Sequence, residues 1–477
     1  MAPQNKIIKG LAWSSLAQTI SQVCQFTITA VLAHLLSPSD FGLFGMVTVF
    51  TGFATIVGEL GIGGAIIQSQ RIDECHYSSV FWFNVVIGLS LTVIFVLIAP
   101  LIARFYERPE IIPILTIVSL NFFLSSFTII QQAVLMKAMD FKSLALRDIF
   151  AVTCSGTLGI LSASRGYGVW SLVIQLLAYT ATNNLLLWIS SEWRPKWIFS
   201  FTSIKEIFPF SAHVTGFQLV NYFARNMDYL LIGKVLGSEA LGYYTLAYKL
   251  MMFPLQNITW IVNKVMFPAL SKMQEEMVRF RRNYLYMVKS VALLSFPIMA
   301  YLFVIAPDII QLVYGSNWKV AIPLVRIFCF CGMVQSITSL GGTIYLAKGR
   351  ADLQFKMSLI STFMLLIVLY IAVYNGIEAV AFAYTSFYLI WANISIFVVA
   401  KLISQNILKI YKIASVPFMF SIVLIIILTS ITKLIYLGPL LKIVSFAAIS
   451  FITYAFMIIL SKQVIIKKHC QFDLGEV

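Results

Sequence analysis

Apolar stretches of about 20 residues, the length a helix needs to cross a hydrocarbon core of ~30 Å, recur along almost the whole chain. Fourteen are legible: Leu11 to Leu36, Phe41 to Ile67, Tyr77 to Pro100, Ile111 to Leu135, Leu144 to Ser164, Gly168 to Ser191, Ile207 to Leu236, Leu241 to Phe267, Tyr284 to Ala306, Val320 to Ala347, Phe355 to Tyr374, Glu378 to Ala400, Ile413 to Thr432 and Leu440 to Leu460. Period-two alternation is absent, and lipid would leave the backbone of open strands unsatisfied, so the pattern predicts helices. The expected fold is all-α and membrane-integral.

The pattern also repeats. Leu36-Ser-Pro-Ser-Asp-Phe-Gly42-Leu-Phe44 returns as Leu236-Gly-Ser-Glu-Ala-Leu-Gly242-Tyr-Tyr244, with Gly42 on Gly242. At nearly the same offset, Ile98-Ala99-Pro100, Tyr106 and Pro113 return as Ile305-Ala306-Pro307, Tyr314 and Pro323. The repeat predicts two pseudo-symmetric six-helix lobes plus two C-terminal helices. The corresponding boundaries are an N-terminal lobe 1–191, a linker 192–206, a C-terminal lobe 207–400, a helix pair 401–461 and a tail 462–477. Two spanning halves of like design are what an alternating-access carrier needs.

Composition agrees, with 60% hydrophobic and 11% charged residues. With the N-terminus cytoplasmic, 24 of the 34 basic residues fall in cytoplasmic segments, 7 in outer turns and 3 inside spans. That asymmetry obeys the positive-inside rule and places both termini in the cytoplasm. The net charge of +15 then reflects topology and attraction to anionic lipid, and nucleic acid is not an expected partner. Met1 to Lys9 is too polar for a cleaved signal peptide, so the first span is expected to remain as an anchor.

The six cysteines lie in spans or on the cytoplasmic side, where disulfides are disfavoured. Cys329 and Cys331 point to different faces of one helix and read as packing residues. The longest connections, Glu192 to Glu206 and Pro268 to Asn283, read as helices or turns on the membrane surface. No loop is large enough to be a domain. No Walker-type phosphate loop, metal constellation or catalytic cluster occurs in the sequence, which argues against an enzyme. Gly61-Ile-Gly63-Gly64 fits close helix packing better than a phosphate cradle. The chain carries no cofactor signature, and transport must draw on an H+ or Na+ gradient or on the substrate's own gradient.

Polar residues inside spans cost energy and invite explanation. Gln18, Gln22 and Gln25 follow helical spacing in the first span, and His213, Gln218, Asn221, Arg225 and Asp228 mark the seventh, its equivalent in the repeat. A shared polar cavity is one reading, and polar glue between packed helices the other. By depth, Asp228 can pair with Lys249 or with Arg225 one turn away, leaving one net cation to receive an anion. Arg326 either binds substrate or snorkels at the outer end of its span. Glu59, like Asp228 and His213, is a gating or ion-coupling candidate.

These residues also carry a family likeness. The chain resembles the polysaccharide-transporter branch of the multidrug/oligosaccharidyl-lipid/polysaccharide flippase superfamily, of the exopolysaccharide and colanic-acid type. The likeness rests on Gly10-Leu-Ala-Trp13-Ser, Phe41-Gly42-Leu, Glu59-Leu-Gly61-Ile, Ala65-Ile-Ile-Gln68 and Phe81-Trp82-Phe-Asn84. In the second half it continues through Leu241-Gly-Tyr-Tyr-Thr-Leu-Ala-Tyr248, Phe267-Pro268-Ala, Tyr314-Gly-Ser-Asn-Trp318 and Leu346-Ala-Lys348-Gly-Arg350. The resemblance implies a V-shaped two-lobed bundle in a bacterial inner membrane that moves an undecaprenyl-pyrophosphate-linked oligosaccharide to the outer leaflet. Polysaccharide polymerases or glycosyltransferases are the implied partners, and a monomer is the default for a pathway within one chain. Some relatives carry arginines in the first helix, whereas this sequence has glutamines there, so pyrophosphate capture would fall on Arg225, Lys249 or Arg326. The rival readings are a multidrug exporter of organic cations, which would use buried carboxylates, and a membrane polysaccharide polymerase, which would carry a long outer loop.

Overall fold

The structure, a computed structural model, describes residues 2–59, 66, 73–434 and 438–472. Side chains are described throughout these except at 2–12, 14–15, 59, 206–214, 216–217, 220–221, 224–225, 260 and 460–472. The glycine-rich segment from Gly61 to Gly64 lies outside the described residues, as do 473–477 of the expected tail. Among the described residues the secondary structure is helical and no strand occurs. Packing divides the chain into two compact units, Met1–Gly242 and Tyr243–Val477.

The first unit contains α1 (Ala2–Leu35), α2 (Pro38–Glu59), α3 (Glu74–Tyr106), α4 (Ile111–Ser126), α5 (Ile129–Lys137), α6 (Phe141–Ser164), α7 (Trp170–Ser190) and the first arm of α8 (Phe201–Lys272). The second contains the other arm of α8, then α9 (Met277–Ile309), α10 (Ala321–Thr338), α11 (Leu340–Ala347), α12 (Ala351–Ala372), α13 (Ile377–Leu402), α14 (Ile407–Leu434) and α15 (Pro439–Phe472). Among the described residues, twelve segments are long and apolar enough to cross a membrane, with α4–α5 and α10–α11 each counting as one. The arms of α8 meet at Gly237, whose φ of 86° only glycine adopts without strain. Each arm exceeds ~20 residues, which brings the membrane-length segments to the expected fourteen.

Local chemistry sets the helix ends. At the start of α2, Asp40 accepts from the Ser37 backbone N–H at 2.9 Å and the Ser37 hydroxyl at 2.6 Å, while the Asp40 N–H donates to Ser37 Oγ. This is a capping box with Pro38 at the first helical position, where its missing N–H costs nothing. Asp73 caps α3 by accepting from the His76 N–H, and Asp140 caps α6 by accepting from the Ser143 N–H.

Within the first unit, Ile28, Leu32 and Leu36 of α1 and its end pack on Val152 and Ala163 of α6 and Leu172 of α7. Gly156 leaves room for Ile28, since a Cβ there would overlap its side chain. Between α3 and α4, Thr92 donates to Ser119 O at 2.9 Å, and a Cβ on Gly88 would stand 2.6 Å from Phe122 O. In the second unit α9 is the central helix, with Val291, Ala292, Met299, Ala300 and Ile305 fully buried. Small residues at such contacts let backbones approach closely.

The two expected surface segments take the form of turns and helix ends. Residues 192–200 form no helix; they strap across the start of α3, where Trp197 stacks on Trp82 at 4.2 Å, Trp82 Nε1 donates to Lys196 O, and Trp193 Nε1 donates to Glu74. The segment from Pro268 to Asn283 is no separate helix either. It is the end of α8, a short turn and the beginning of α9, so its charge pattern belongs to the ends of two spanning helices. Lys348 ties that turn down by donating to Gln274 O and lying 4.6 Å over the Phe280 ring.

Candidate functional site

In the first unit, α1 buries Ala17, Ile28 and Leu32 and leaves Gln18 and Gln25 exposed, with Gln22 half-buried beside them. The spacing of 18, 22 and 25 keeps the three amides on one side of the helix, next to the side occupied by α6. Thr29 donates to Gln25 O at 2.7 Å, so its hydroxyl is absorbed by the helix itself.

The first arm of α8 is fixed to α2 by Tyr222, a residue the sequence reading passed over. Its hydroxyl lies 3.1 Å from Thr48 O and 2.8 Å from Val49 O, and the ring occupies space that only glycine at position 52 allows. Gln218, one turn earlier, is exposed. Asp228 is buried, and its Oδ1 accepts from the Tyr229 N–H at 2.9 Å. His213, Asn221 and Arg225 lie in α8 by backbone, but their side chains are outside the described residues, as is that of Glu59 at the end of α2.

The repeated motif, read from sequence as an alignment, is also a contact. A Cβ on Gly42 would overlap the Ser238 carbonyl, and a Cβ on Gly242 would overlap that of Pro38. Ser39 and Ser238 hydroxyls join at 2.8 Å. Pro38 and Ser238 are equivalent in the repeat, as are the two glycines, so the pairing is reciprocal. Beside it Lys234 donates to Glu107 at 2.7 Å, and this ammonium holds the exposed Glu107 carboxyl below the ordinary glutamate range.

In the second unit Lys249 stands about eleven residues beyond Ser238, ~16 Å along the helix axis. Its side chain is exposed although Ala247, Leu250 and Met251 around it are buried. Its neighbour Tyr248 accepts from Tyr384 at 3.3 Å, and Tyr384 in turn accepts from Gln335 at 3.2 Å. Tyr244 stacks on Tyr248, and both meet the edge of Phe328. Arg326 is engaged locally: its guanidinium lies 5.6 Å over the Phe303 ring and its Nε donates to Phe303 O at 3.3 Å. Cys329 and Cys331 are buried with free thiols.

Apolar helices of membrane length that carry exposed amides and a lysine in their interior suit a polar cargo more than a chemical reaction. Among solved structures the chain is similar to the lipid II flippase MurJ in an inward closed conformation, with a TM-score of 0.75 and 16% identity over 95% of this chain and 99% of that one. This likeness establishes a shared fold. It is 31% identical over 355 residues to the teichuronic acid biosynthesis protein TuaB of Bacillus subtilis, covering 73% of each chain. It is 27% identical over 366 residues to the lipopolysaccharide biosynthesis protein WzxC of Escherichia coli, covering 76% of this chain and 74% of that one. A family profile described as polysaccharide biosynthesis protein matches residues 31–323, and on that match, which spans more than half of the 477 residues, the chain belongs to the polysaccharide biosynthesis protein family.

Proposed function

We propose that this protein is a flippase that carries lipid-linked oligosaccharide units from the cytoplasmic to the outer leaflet of a bacterial inner membrane, for assembly of a surface polysaccharide. The observation that carries the reading is the exposure of Gln18, Gln25, Gln218 and Lys249 on helices of membrane length. A sugar head group cannot cross hydrocarbon unaided, because each buried polar group without a partner costs several kcal/mol. Amides replace water around the sugar, a cation receives the pyrophosphate, and the polyprenyl tail stays in lipid. Arg225 and Lys249 are the cations assigned to the pyrophosphate, with Arg326 as the secondary candidate at its Phe303 perch. Gln22 and Asn221 extend the amide surface, while Glu59, Asp228 and His213 are assigned to gating or ion coupling. The two halves open alternately to either leaflet, both termini face the cytoplasm, and glycosyltransferases or a polymerase supply and consume the cargo.

The names of TuaB and WzxC, biosynthesis proteins of teichuronic acid and of lipopolysaccharide, support the substrate class. The cationic balance of the assigned residues favours an anionic lipid over the organic cations of a drug exporter. Arg225→Ala is expected to abolish translocation of a fluorescent lipid-linked oligosaccharide in proteoliposomes while leaving membrane insertion intact. Normal flipping by that variant removes Arg225 from the site, and absence of flipping by the unmodified protein under H+ and Na+ gradients alike overturns the reading.

A further inference from the structure

A carboxylate opens into the interior of the first unit. Asp148 follows the start of α6 at Phe141 by about 10 Å of helix, a depth at which an ionisable side chain is costly and marks a functional position. Leu146 and Phe150, on either side of it, are 50% and 59% exposed. Each stands two positions away, roughly 160° around the helix, so these two face lipid and Asp148 faces the bundle. Its side chain is nonetheless 39% exposed, and the surface it keeps is an inner one.

Packing register shows what else meets that opening. Lys142 lies 5.8 Å from the Trp13 ring and a Cβ on Gly156 would overlap Ile28, so α1 and α6 run parallel and Asp148 stands level with Gln18 and Gln22. Val152, one turn beyond Asp148, packs on Ile28 and Leu32 of α1 beside the half-buried Tyr179 of α7. Followed in the sense of a right-handed helix, Asp148 and the amide stripe of α1 both turn to the α7 side of the α1–α6 contact. They share one corner, bounded by α1, α6 and α7. At the same level, one turn outward from the packed pair Leu144 and Leu187, Asn183 Oδ1 on α7 is buried without a partner among the described residues, as is Ser21 Oγ on α1.

Arg147 fixes the carboxylate and decides what it can bind. Its side chain is 7% exposed, and Nη2 donates to Asp148 Oδ1 at 2.6 Å. Among the described residues Nε and Nη1 have no partner, so the contact this buried guanidinium keeps is the one to Asp148. A cation entering the corner would meet that guanidinium beside the carboxylate, and a phosphate would meet the carboxylate itself, so neither ion gains from the pair. Capacity for hydrogen bonds remains. An ionised carboxylate offers about four lone-pair sites, of which Arg147 takes one; Ser21 adds a hydroxyl, Asn183 a carbonyl oxygen, and Gln18 and Gln22 groups that donate and accept. A ring bearing several hydroxyls, each both donor and acceptor, matches this set.

We propose that Asp148, held by the positioning residue Arg147, is the acceptor for sugar hydroxyls in this corner of the first unit, and that it selects glycosylated cargo over the bare lipid pyrophosphate. The proposal rests on the flippase reading and deepens it, since it gives the sugar a binding group separate from the cations assigned to the pyrophosphate.

The test is equilibrium binding of two lipids to the purified full-length protein in detergent: undecaprenyl pyrophosphate, and the same lipid carrying a neutral trisaccharide. The unmodified protein is expected to bind the glycosylated lipid more tightly by about tenfold or more, the worth of one hydrogen bond to a charged group. Asp148→Ala should lose that preference while binding the bare lipid as before, and Asp148→Asn, which keeps one acceptor, should fall between. Arg147→Lys should retain the preference and Arg147→Met should lose it. Equal binding of the two lipids by the unmodified protein overturns the proposal and leaves the flippase reading standing, as does a full preference in Asp148→Ala or an equal weakening of both lipids, the mark of a merely structural ion pair. Binding of neither lipid by the unmodified protein overturns the flippase reading, and the sugar site with it. Should Asp148→Ala fail to fold, Asp148→Asn decides: a reduced preference supports the site and an unchanged one sinks it.

Discussion

Two glycines show how a single missing methyl group sets a helix crossing. Gly42 and Gly242 each face a main-chain carbonyl of the opposing motif, at Ser238 and Pro38. A carbonyl cannot swing aside as a flexible side chain can, so Gly42→Ala and Gly242→Ala are each expected to cost about 1–3 kcal/mol through overpacking. Thermal melting in detergent should record both losses, and Gly438→Ala, where an added Cβ meets nothing within 4 Å, should melt like the parent. At this scale the sequence reading went only part of the way. Equivalence of the glycines is visible as an alignment, but their mutual contact is not, because a repeat states likeness and says nothing about proximity. Asn84 was quoted merely as one letter of a motif; its burial beside the break between α4 and α5 depends on a part of the chain about forty residues on.

Hydrophobic runs give the elements themselves, since lipid permits few backbone solutions other than helix. Their joints were less legible. The charges of Glu275, Glu276, Arg279, Arg281 and Arg282 mimic a surface helix, yet they decorate a turn and the first residues of α9, because an amphipathic pattern cannot reveal whether a helix continues into a span. The partners of the aromatic linker were hidden for a related reason: Trp193 and Trp197 serve residues on α3 over a hundred positions earlier. Tyr222 fastens the first arm of α8 to α2. Removing its hydroxyl in Tyr222→Phe should destabilise the protein by about 0.5–1.5 kcal/mol, the usual net worth of one hydrogen bond. A melting temperature equal to that of the parent would show that the ring at Gly52, and not the hydroxyl, holds the arm.

Across the whole molecule, the membrane-length segments were countable in advance, and the charge asymmetry between their connections predicts a sidedness for each. In a background without native cysteines, Arg165→Cys is expected to react with a membrane-impermeant maleimide on intact cells and Glu275→Cys only after lysis. Labelling of both from one side would mean that a span has been miscounted between them and would invert every downstream assignment. The role of each intramembrane cation was beyond the sequence because it depends on depth and neighbours: Arg326 is occupied by Phe303, whereas Lys249 is exposed. The reciprocal pairing of Pro38 with Gly242 and of Ser238 with Gly42 has the symmetry of an isologous interface, in which each partner presents the same patch. With main-chain carbonyls of Ser238 and Pro38 filling the volume that a Cβ at Gly42 or Gly242 would need, no larger residue can enter either position without prising the two motifs apart.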